Sequence, residues 1–363
     1  MRFCLYSDCH FSEFSSIIRS QGEIFSTRLE NLIASISWAE QIAIDKNCDE
    51  IICLGDFFDR SDLNSREITA LNEIRWADMP HTYLVGNHDA STKNLLFNSV
   101  NVLKKYGFQI INNVVLRHIA KCDLLFVPYF LDSDRKDLAT YFDSFYNDSK
   151  AVLKINKPKR VVLSHNDIKG LQYGGFQSKN GFAIDDIIEN CDLFLNGHLH
   201  NSDGKPFAPH AFNLGNLTGQ NFSEDASIYS HRVYILDTDA GTLNSIENPY
   251  AINFYKLSLV DDKSINIFRE MLFSLKSNAV VSIKCPAELK NDLQDILSED
   301  DIQNKIIESR ITYSVRRVDD PEDTSAELLH SADDYLLKFI TFCKENLPQS
   351  DLLEEELSEV CSK

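Results

Sequence analysis

Five short apolar runs in this chain each stop at residues able to ligate a metal ion, and that repeated ending limits the possible fold more than any other feature. Phe3 to Ser7 leads to Asp8 and His10, Glu50-Ile51-Ile52-Cys53-Leu54 to Gly55-Asp56, and His81-Thr82-Tyr83-Leu84-Val85 to Gly86-Asn87-His88-Asp89. Arg160-Val161-Val162-Leu163 leads to Ser164-His165, and Cys191-Asp192-Leu193-Phe194-Leu195-Asn196 to Gly197-His198-Leu199-His200. Near-continuous apolar runs of this length read as strands buried on both faces. Between the first two, Leu29, Leu32, Ile33, Ile36, Ala39 and Ile42-Ala43 fall at helical spacing from about Thr27 to Lys46, and a second helix is expected around Arg66 to Ile74. Strand, helix and strand in alternation predict an α/β fold. Ligands of such sheets bind beyond the carboxyl ends of the strands, so residues far apart in sequence can meet there.

Two cations about 4 Å apart can clamp the attacking and leaving oxygens of a phosphoryl transfer and bring the pKa of water toward neutrality. Such a pair needs mixed oxygen and imidazole donors with one shared carboxylate. We assign Asp8, His10 and His200 to one ion, Asn87, His165 and His198 to the other, and Asp56 as the bridge. Oxygen and nitrogen donors with open positions suit Mn²⁺ first, with Mg²⁺, Fe²⁺ or Zn²⁺ as alternatives. His88 is not needed as a ligand and is a candidate catalytic acid for the leaving oxygen. Asp59 is its candidate partner, a carboxylate that would hold the imidazole in the useful tautomer.

Each signal has a plainer reading. A D-x-H string arises by composition in roughly every second chain of this length, whereas G-N-H-D arises in about one per thousand and G-H-x-H in about one per hundred. Their joint occurrence in this order, each after an expected strand, is what carries the site. Taken alone, His165 would be an ordinary histidine, Asp59 a loop carboxylate and Asp89 a helix cap. His81, His118, His210, His231 and His330 lack such context and read as structural or surface residues. Lys157-Pro158-Lys159-Arg160 reads as a solvated loop entering a strand.

At 363 residues, one large domain and a smaller one can each bury a core. The texture changes near Asn248-Pro249 to strand Phe254 to Leu259, helix Ile265 to Lys276, strand Ala279 to Lys284, helix Ala287 to Leu297 and strand Ile311 to Val318. That is a small α/β module. Beyond it, Ser331 and Asp334 start a helix carrying Tyr335, Leu336, Phe339, Ile340 and Cys343, ahead of an acidic tail. The expected boundaries are therefore 1–250, 251–320 and 321–363. A net charge of −19 works against a nucleic-acid binder that relies on its own surface field, although bound cations would reverse the sign locally. Nine scattered cysteines without a C-x-x-C pair indicate reduced thiols. The opening apolar stretch is too short for a signal segment and no later run would span a bilayer, so a cytoplasmic protein is expected.

Asp8-x-His10, Gly55-Asp56-x-x-Asp59, Gly86-Asn87-His88-Asp89, His165 and Gly197-His198-x-His200 together resemble the calcineurin-like metallophosphoesterases. Within them the chain looks like the nuclease subunit of the SbcCD type, in the phage-encoded recombination endonuclease form related to the meiotic-recombination-eleven nucleases. The finer likeness rests on the spacing from His165 through Gly174-Gly175-Phe176 and Gly181 to the last motif, on the turn Asn213-Leu214-Gly215-Asn216, and on a cap followed by a terminal helix. Archaeal and eukaryotic members carry histidine where Asp59 stands, and bacterial and phage forms resemble this chain.

The resemblance implies a two-layered β-sandwich flanked by helices, with a capping module. It implies Mn²⁺-dependent exonuclease and endonuclease action on DNA ends, by direct in-line attack of hydroxide held by the ions. It further implies a homodimer and an SbcC-like coiled-coil ATPase seated on the Tyr335 to Phe342 helix, in the host cytoplasm for a phage-encoded form. The alternatives are a phosphodiesterase or phosphatase acting on nucleotides or phosphoproteins, and a non-catalytic scaffold of the same fold. Retention of His88 with the full ligand set argues against the scaffold.

Overall fold

The structure is a computed structural model that describes residues 1–15, 18, 24–91, 94–119, 122–148, 158–173 and 176–317. The expected helix at Tyr335 to Phe342, the acidic tail, His330 and Gly174-Gly175 lie outside them. Two compact units divide the chain, Met1–Val315 and Arg316–Lys363.

The first half contains β1 (Arg2–Tyr6), α1 (Thr27–Asp45), β2 (Glu50–Cys53), α2 (Ser65–Ala70), β3 (His81–Leu84), β4 (Gln109–Ile111), β5 (Val115–Ile119), β6 (Cys122–Val127) and α3 (Leu138–Asp148). Then come β7 (Lys159–Ser164), β8 (Gln172–Tyr173), β9 (Phe176–Gln177), α4 (Ile184–Asn190), β10 (Leu193–Asn196), β11 (Pro206–Ala208), β12 (Ala211–Asn213), β13 (Arg232–Asp237) and β14 (Thr242–Glu247). The last described elements are β15 (Asn253–Ser258), α5 (Asp262–Ser274), β16 (Ala279–Cys285), α6 (Lys290–Leu297), α7 (Asp300–Glu308) and β17 (Thr312–Arg317).

Among the described residues two six-stranded sheets form, ordered β14-β13-β1-β2-β3-β4 and β11-β12-β10-β7-β6-β5. Strands β1 to β4 run parallel, as do β6, β7, β10 and β12. Side chains that alternate along each strand explain why the runs are apolar throughout. Phe3, Leu5, Ile52, Leu54 and Leu84 of one sheet share a core with Leu124, Phe126, Val161, Leu163 and Leu195 of the other. Their neighbours Cys4, Tyr6, Ile51, Cys53 and Tyr83 face outward onto Leu29, Leu32, Ile36 and Ala39 of α1. On the far side Leu125, Val127, Val162 and Phe194 pack with Leu138 and Phe142 of α3 and Ile187 of α4. The architecture is thus a β-sandwich between helical layers, as the resemblance implied.

A third sheet, β15-β16-β17, carries α5, α6 and α7 on a core of its own, including Leu257, Phe268, Val281, Leu293 and Ile302. Two local expectations need correcting. Helix α2 stops at Ala70 rather than Ile74. Asn72 and Glu73 close tight turns on Thr69 and Ala70, and the Trp76 indole N–H takes the Leu71 carbonyl at 3.2 Å, which a continuing helix would need. Helix α7 was not anticipated; it follows α6 after a break at Ser298-Glu299. The seven described cysteines are free. Among the described residues no helix is long and apolar enough to cross a membrane.

Candidate metal centre

Asp8, Asp56 and Asn87 leave the first sheet at the ends of β1, β2 and β3, while His165, His198 and His200 leave the second at the ends of β7 and β10. Adjacent loops lie strand-like against each other: the Asp8 N–H donates to the Gly55 carbonyl at 3.1 Å and the His10 N–H to the Asp56 carbonyl at 3.0 Å. Asp8, His10, Asp56 and His198 all have left-handed backbone, with φ of 51°, 46°, 46° and 72°. Non-glycine residues adopt that conformation at a cost, and its clustering here marks the loops as shaped for a task other than stability. The motif glycines are required by contact. A Cβ on Gly86 would collide with the Asp56 carboxylate and main-chain nitrogen, and one on Gly197 would lie 2.8 Å from His165 Nδ1 and 2.7 Å from the Leu54 carbonyl.

The structure brings every predicted ligand to one place. Asp8, His10 and His200 form one group able to hold a metal, and Asp56, His165 and His198 another. Asp56 lies between them: its Oδ2 is 3.1 Å from His165 Nε2 and 3.8 Å from His10 Nε2, while its Oδ1 accepts the His88 N–H at 2.9 Å. Asn87 Oδ1 is 3.3 Å from His165 Nε2. His10 and His200 point their Nε2 atoms at each other across 3.0 Å, with Asp8 Oδ1 about equally far from both, at 4.0 and 3.8 Å. That Asp8 oxygen is buried and accepts no hydrogen bond. A buried carboxylate oxygen without a donor is costly, and facing two imidazole nitrogens it fits a cation. The residues present therefore suit divalent ions by donor type and by this orphaned oxygen.

Outer partners orient the imidazoles. His165 Nδ1 donates to the Leu54 carbonyl at 2.6 Å, His10 Nδ1 to Asp59 Oδ1 at 3.1 Å, His200 Nδ1 to Glu224 Oε1 at 3.1 Å, and His198 Nε2 pairs with Asp167 Oδ1 at 3.2 Å. Asp59 thus differs from expectation: its carboxylate serves His10, and its carbonyl, at 3.0 Å, holds His88 Nδ1. The His88 side chain is 45% exposed and its ring stands 4.7 Å from that of His10. It is also within ligand reach of His10 and Asp56. Asp89 caps no helix; its carboxylate is buried and accepts the Phe58 and Gly86 N–H groups, both at 2.9 Å, which stitches two motif loops together.

Without cations the site is strongly polarised. Burial pushes the Asp56 carboxyl up, but the His165, His88 and His10 imidazoles outweigh it and hold it well below the usual range. Burial lowers His165, and the Asp56 carboxylate more than compensates, raising it to about 9; Glu224 likewise raises His200 to about 9 against its burial. Burial, aided by the Asp56 charge, lifts Asp89 to about 7.

Sequence reasoning missed Asp167, Asn166 and Glu224. The first two follow His165 directly, so the string His165-Asn166-Asp167 offered a signal, whereas Glu224 sits in a loop with no motif spacing. Among the other histidines, His81 is buried against Glu40 at 2.8 Å and His231 is buried against Asn216, both structural as expected.

The chain resembles several solved structures at low identity. One is TT1561 of Thermus thermophilus, 11% identical over 68% of this chain and 98% of that one, with a TM-score of 0.39. A dimetal phosphatase from Danio rerio, LOC 393393, is also 11% identical over 68% of this chain and 99% of its own, with a TM-score of 0.39. AQ665, a protein of unknown function from Aquifex aeolicus, is 14% identical over 59% and 88%, with a TM-score of 0.27. No curated protein matches the chain. The profile of the Calcineurin-like phosphoesterase family matches residues 1–202, more than half of the 363 and the stretch that holds every predicted ligand, and the chain belongs to that family.

Proposed function

We propose that the chain is a two-metal DNA nuclease, the exonuclease and endonuclease subunit of an SbcCD-like complex that processes double-strand breaks. The observation that carries the hydrolase reading is the placement of Asp56 between two ligand groups, with the orphaned Asp8 oxygen in one of them. Asp8, His10 and His200 would hold one ion and Asn87, His165 and His198 the other, with Asp56 shared. Bound there, two divalent cations, Mn²⁺ foremost, would supply Lewis-acid charge to the phosphate and lower the pKa of water.

The protein's own groups do the rest. Strand ends and the hydrogen bonds behind the imidazoles fix the ligand side chains, so the site would hold its cations without reorganising as the substrate phosphate arrives. His88, half exposed beside His10, donates its Nδ1–H to the Asp59 carbonyl, which leaves Nε2 as the free ring nitrogen. As an imidazolium with a second proton on Nε2 it would pass that proton to the departing oxygen and return to the neutral Nδ1–H form. Two carboxylates against two dications leave a net charge of about +2 at the centre. A local positive site on a chain of net charge −19 suits a complex in which a partner supplies basic surface for the rest of the DNA. The DNA assignment draws on the resemblance of the sequence motifs, and the coiled-coil ATPase and the homodimer draw on it too.

The test compares linear DNA, bis-para-nitrophenyl phosphate and cyclic nucleotides as substrates of the purified chain in Mn²⁺, alone and co-expressed with a coiled-coil ATPase. Cleavage of DNA that chelator abolishes is expected, together with co-purification of the ATPase that Phe339→Asp disrupts. Turnover of the small esters with no DNA cleavage in either state would replace the nuclease reading with that of a small-substrate phosphodiesterase.

A further inference from the structure

Glu224 lies beyond residues 1–202, the stretch matched by the family, yet among the carboxylates that bond a ligand histidine without being assigned as ligands themselves it is the most enclosed. Its side chain is 0% exposed, against 40% for Asp59 and 28% for Asp167. One oxygen accepts from His200 Nδ1 at 3.1 Å, and the other accepts from Asn216 Nδ2 and the Gln220 N–H, both at 2.8 Å. Arg28 of α1 is also buried, and its guanidinium donates to the Gly219 carbonyl at 2.7 Å and to the Cys9 carbonyl at 3.4 Å. The loop is fixed at both ends to the β15 side of the unit: the Gly219 N–H donates to the Ile252 carbonyl at 3.1 Å and the Ala226 N–H to the Phe254 carbonyl at 2.8 Å. Phe222 and Phe254 stack edge to face, 5.1 Å apart.

We propose that Glu224 is the positioning residue of His200: it holds the Nδ1–H tautomer and so directs the Nε2 lone pair at the point shared with His10 and Asp8. This rests on the two-metal reading above and adds to it that one of the two positions depends on a residue outside the motifs. A carboxylate behind a ligand imidazole fixes its tautomer and orientation, and removing such a partner weakens metal binding by about 10–100-fold. Asp59 serves His10 in the same way, but from an exposed position where water can take its place. Buried Glu224 has no such substitute.

The experiment is calorimetric titration of the metal-free full chain with Mn²⁺ alone, for wild type, Glu224→Gln, Glu224→Asp, His200→Ala and the Glu224→Gln/His200→Ala double variant. Two bound ions are expected in the wild type. Both Glu224 variants should keep one ion at wild-type affinity and bind the other about 10–100-fold more weakly. In the His200→Ala background, Glu224→Gln should change affinity by less than about twofold, because the group it positions is gone. Glu224→Asp preserves the buried charge and serves if the glutamine variant does not fold. Wild-type affinity at both positions, equal weakening of both, or an undiminished effect in the His200→Ala background would overturn the role of Glu224 while leaving the two-metal centre standing. A wild-type chain that takes up no Mn²⁺ would overturn both.

Discussion

Asn166→Ala would remove a buried amide that clamps two strand ends, those of β6 and β7, beside the metal centre. Its Nδ2 donates to the Pro128 carbonyl at 2.9 Å, the Ser164 hydroxyl at 3.1 Å and the Val127 carbonyl at 3.3 Å. Its Oδ1 accepts from the Phe130 N–H at 3.0 Å and Arg135 Nη1 at 3.4 Å. The Val127 carbonyl would keep the His165 N–H at 3.1 Å, the serine hydroxyl can rotate, and Arg135 retains its bond to the Phe130 carbonyl. That leaves the Pro128 carbonyl, buried, and the Phe130 N–H, partly buried. An unpartnered buried group costs about 1–3 kcal/mol, so about 2 for the first and about 1 for the second give about 3 kcal/mol. With a urea slope of about 3 kcal/mol per molar for a unit of this size, the midpoint in chelator should fall by about 1 M. His165 keeps its Leu54 carbonyl, so Mn²⁺ affinity should drop by less than about tenfold. A midpoint shift under about 0.3 M, equivalent to less than about 1 kcal/mol, would refute the reasoning, since it would mean that water replaces the amide at no cost.

His88→Ala should leave Mn²⁺ stoichiometry intact and lower turnover by about 10²–10⁴-fold, measured under saturating substrate; unchanged turnover would remove His88 from the chemistry. Gly86→Ala should expel Asp56 from the bridging position and abolish binding of both ions by calorimetry, because the added methyl and the carboxylate occupy the same space. In the metal-free chain His165 and His200 hold protons up to about 9, above the ordinary 6.5. A raised folded pKa stabilises fully below the unfolded value and is lost as pH climbs through the folded one, so urea midpoints in chelator should decline from pH 6.5 to about 9. For the same reason Mn²⁺ uptake at pH 7.5 should release about two protons per chain, visible as a dependence of the calorimetric heat on the buffer's ionisation enthalpy, and no release would contradict the assignment of these two ligands.

Strand ends were legible because their evidence is local. An apolar run followed by Gly55-Asp56 or Gly86-Asn87-His88 records in adjacent residues both the buried strand and the close backbone approach at its tip, and Asp8, His10, Asp56, Asn87, His165, His198 and His200 all meet as that pattern required. Sheet membership was not legible. Apolar strands buried on both faces look alike whether they join one sheet or two, and only the shared core of Phe3 and Leu5 with Phe126 and Leu163 makes the sandwich. Asp59 could be singled out by its distance from Asp56, but which of two neighbouring imidazoles its carboxylate would reach depends on a turn of the loop. Glu224 was beyond any such reading. Its partner His200 precedes it by 24 residues, and the bond between them exists because the loop is tied to β15 by main-chain hydrogen bonds, which carry no side-chain signature in the sequence. Short-range chemistry is written in the order of residues; the contacts that orient that chemistry come from packing, which the order alone does not reveal.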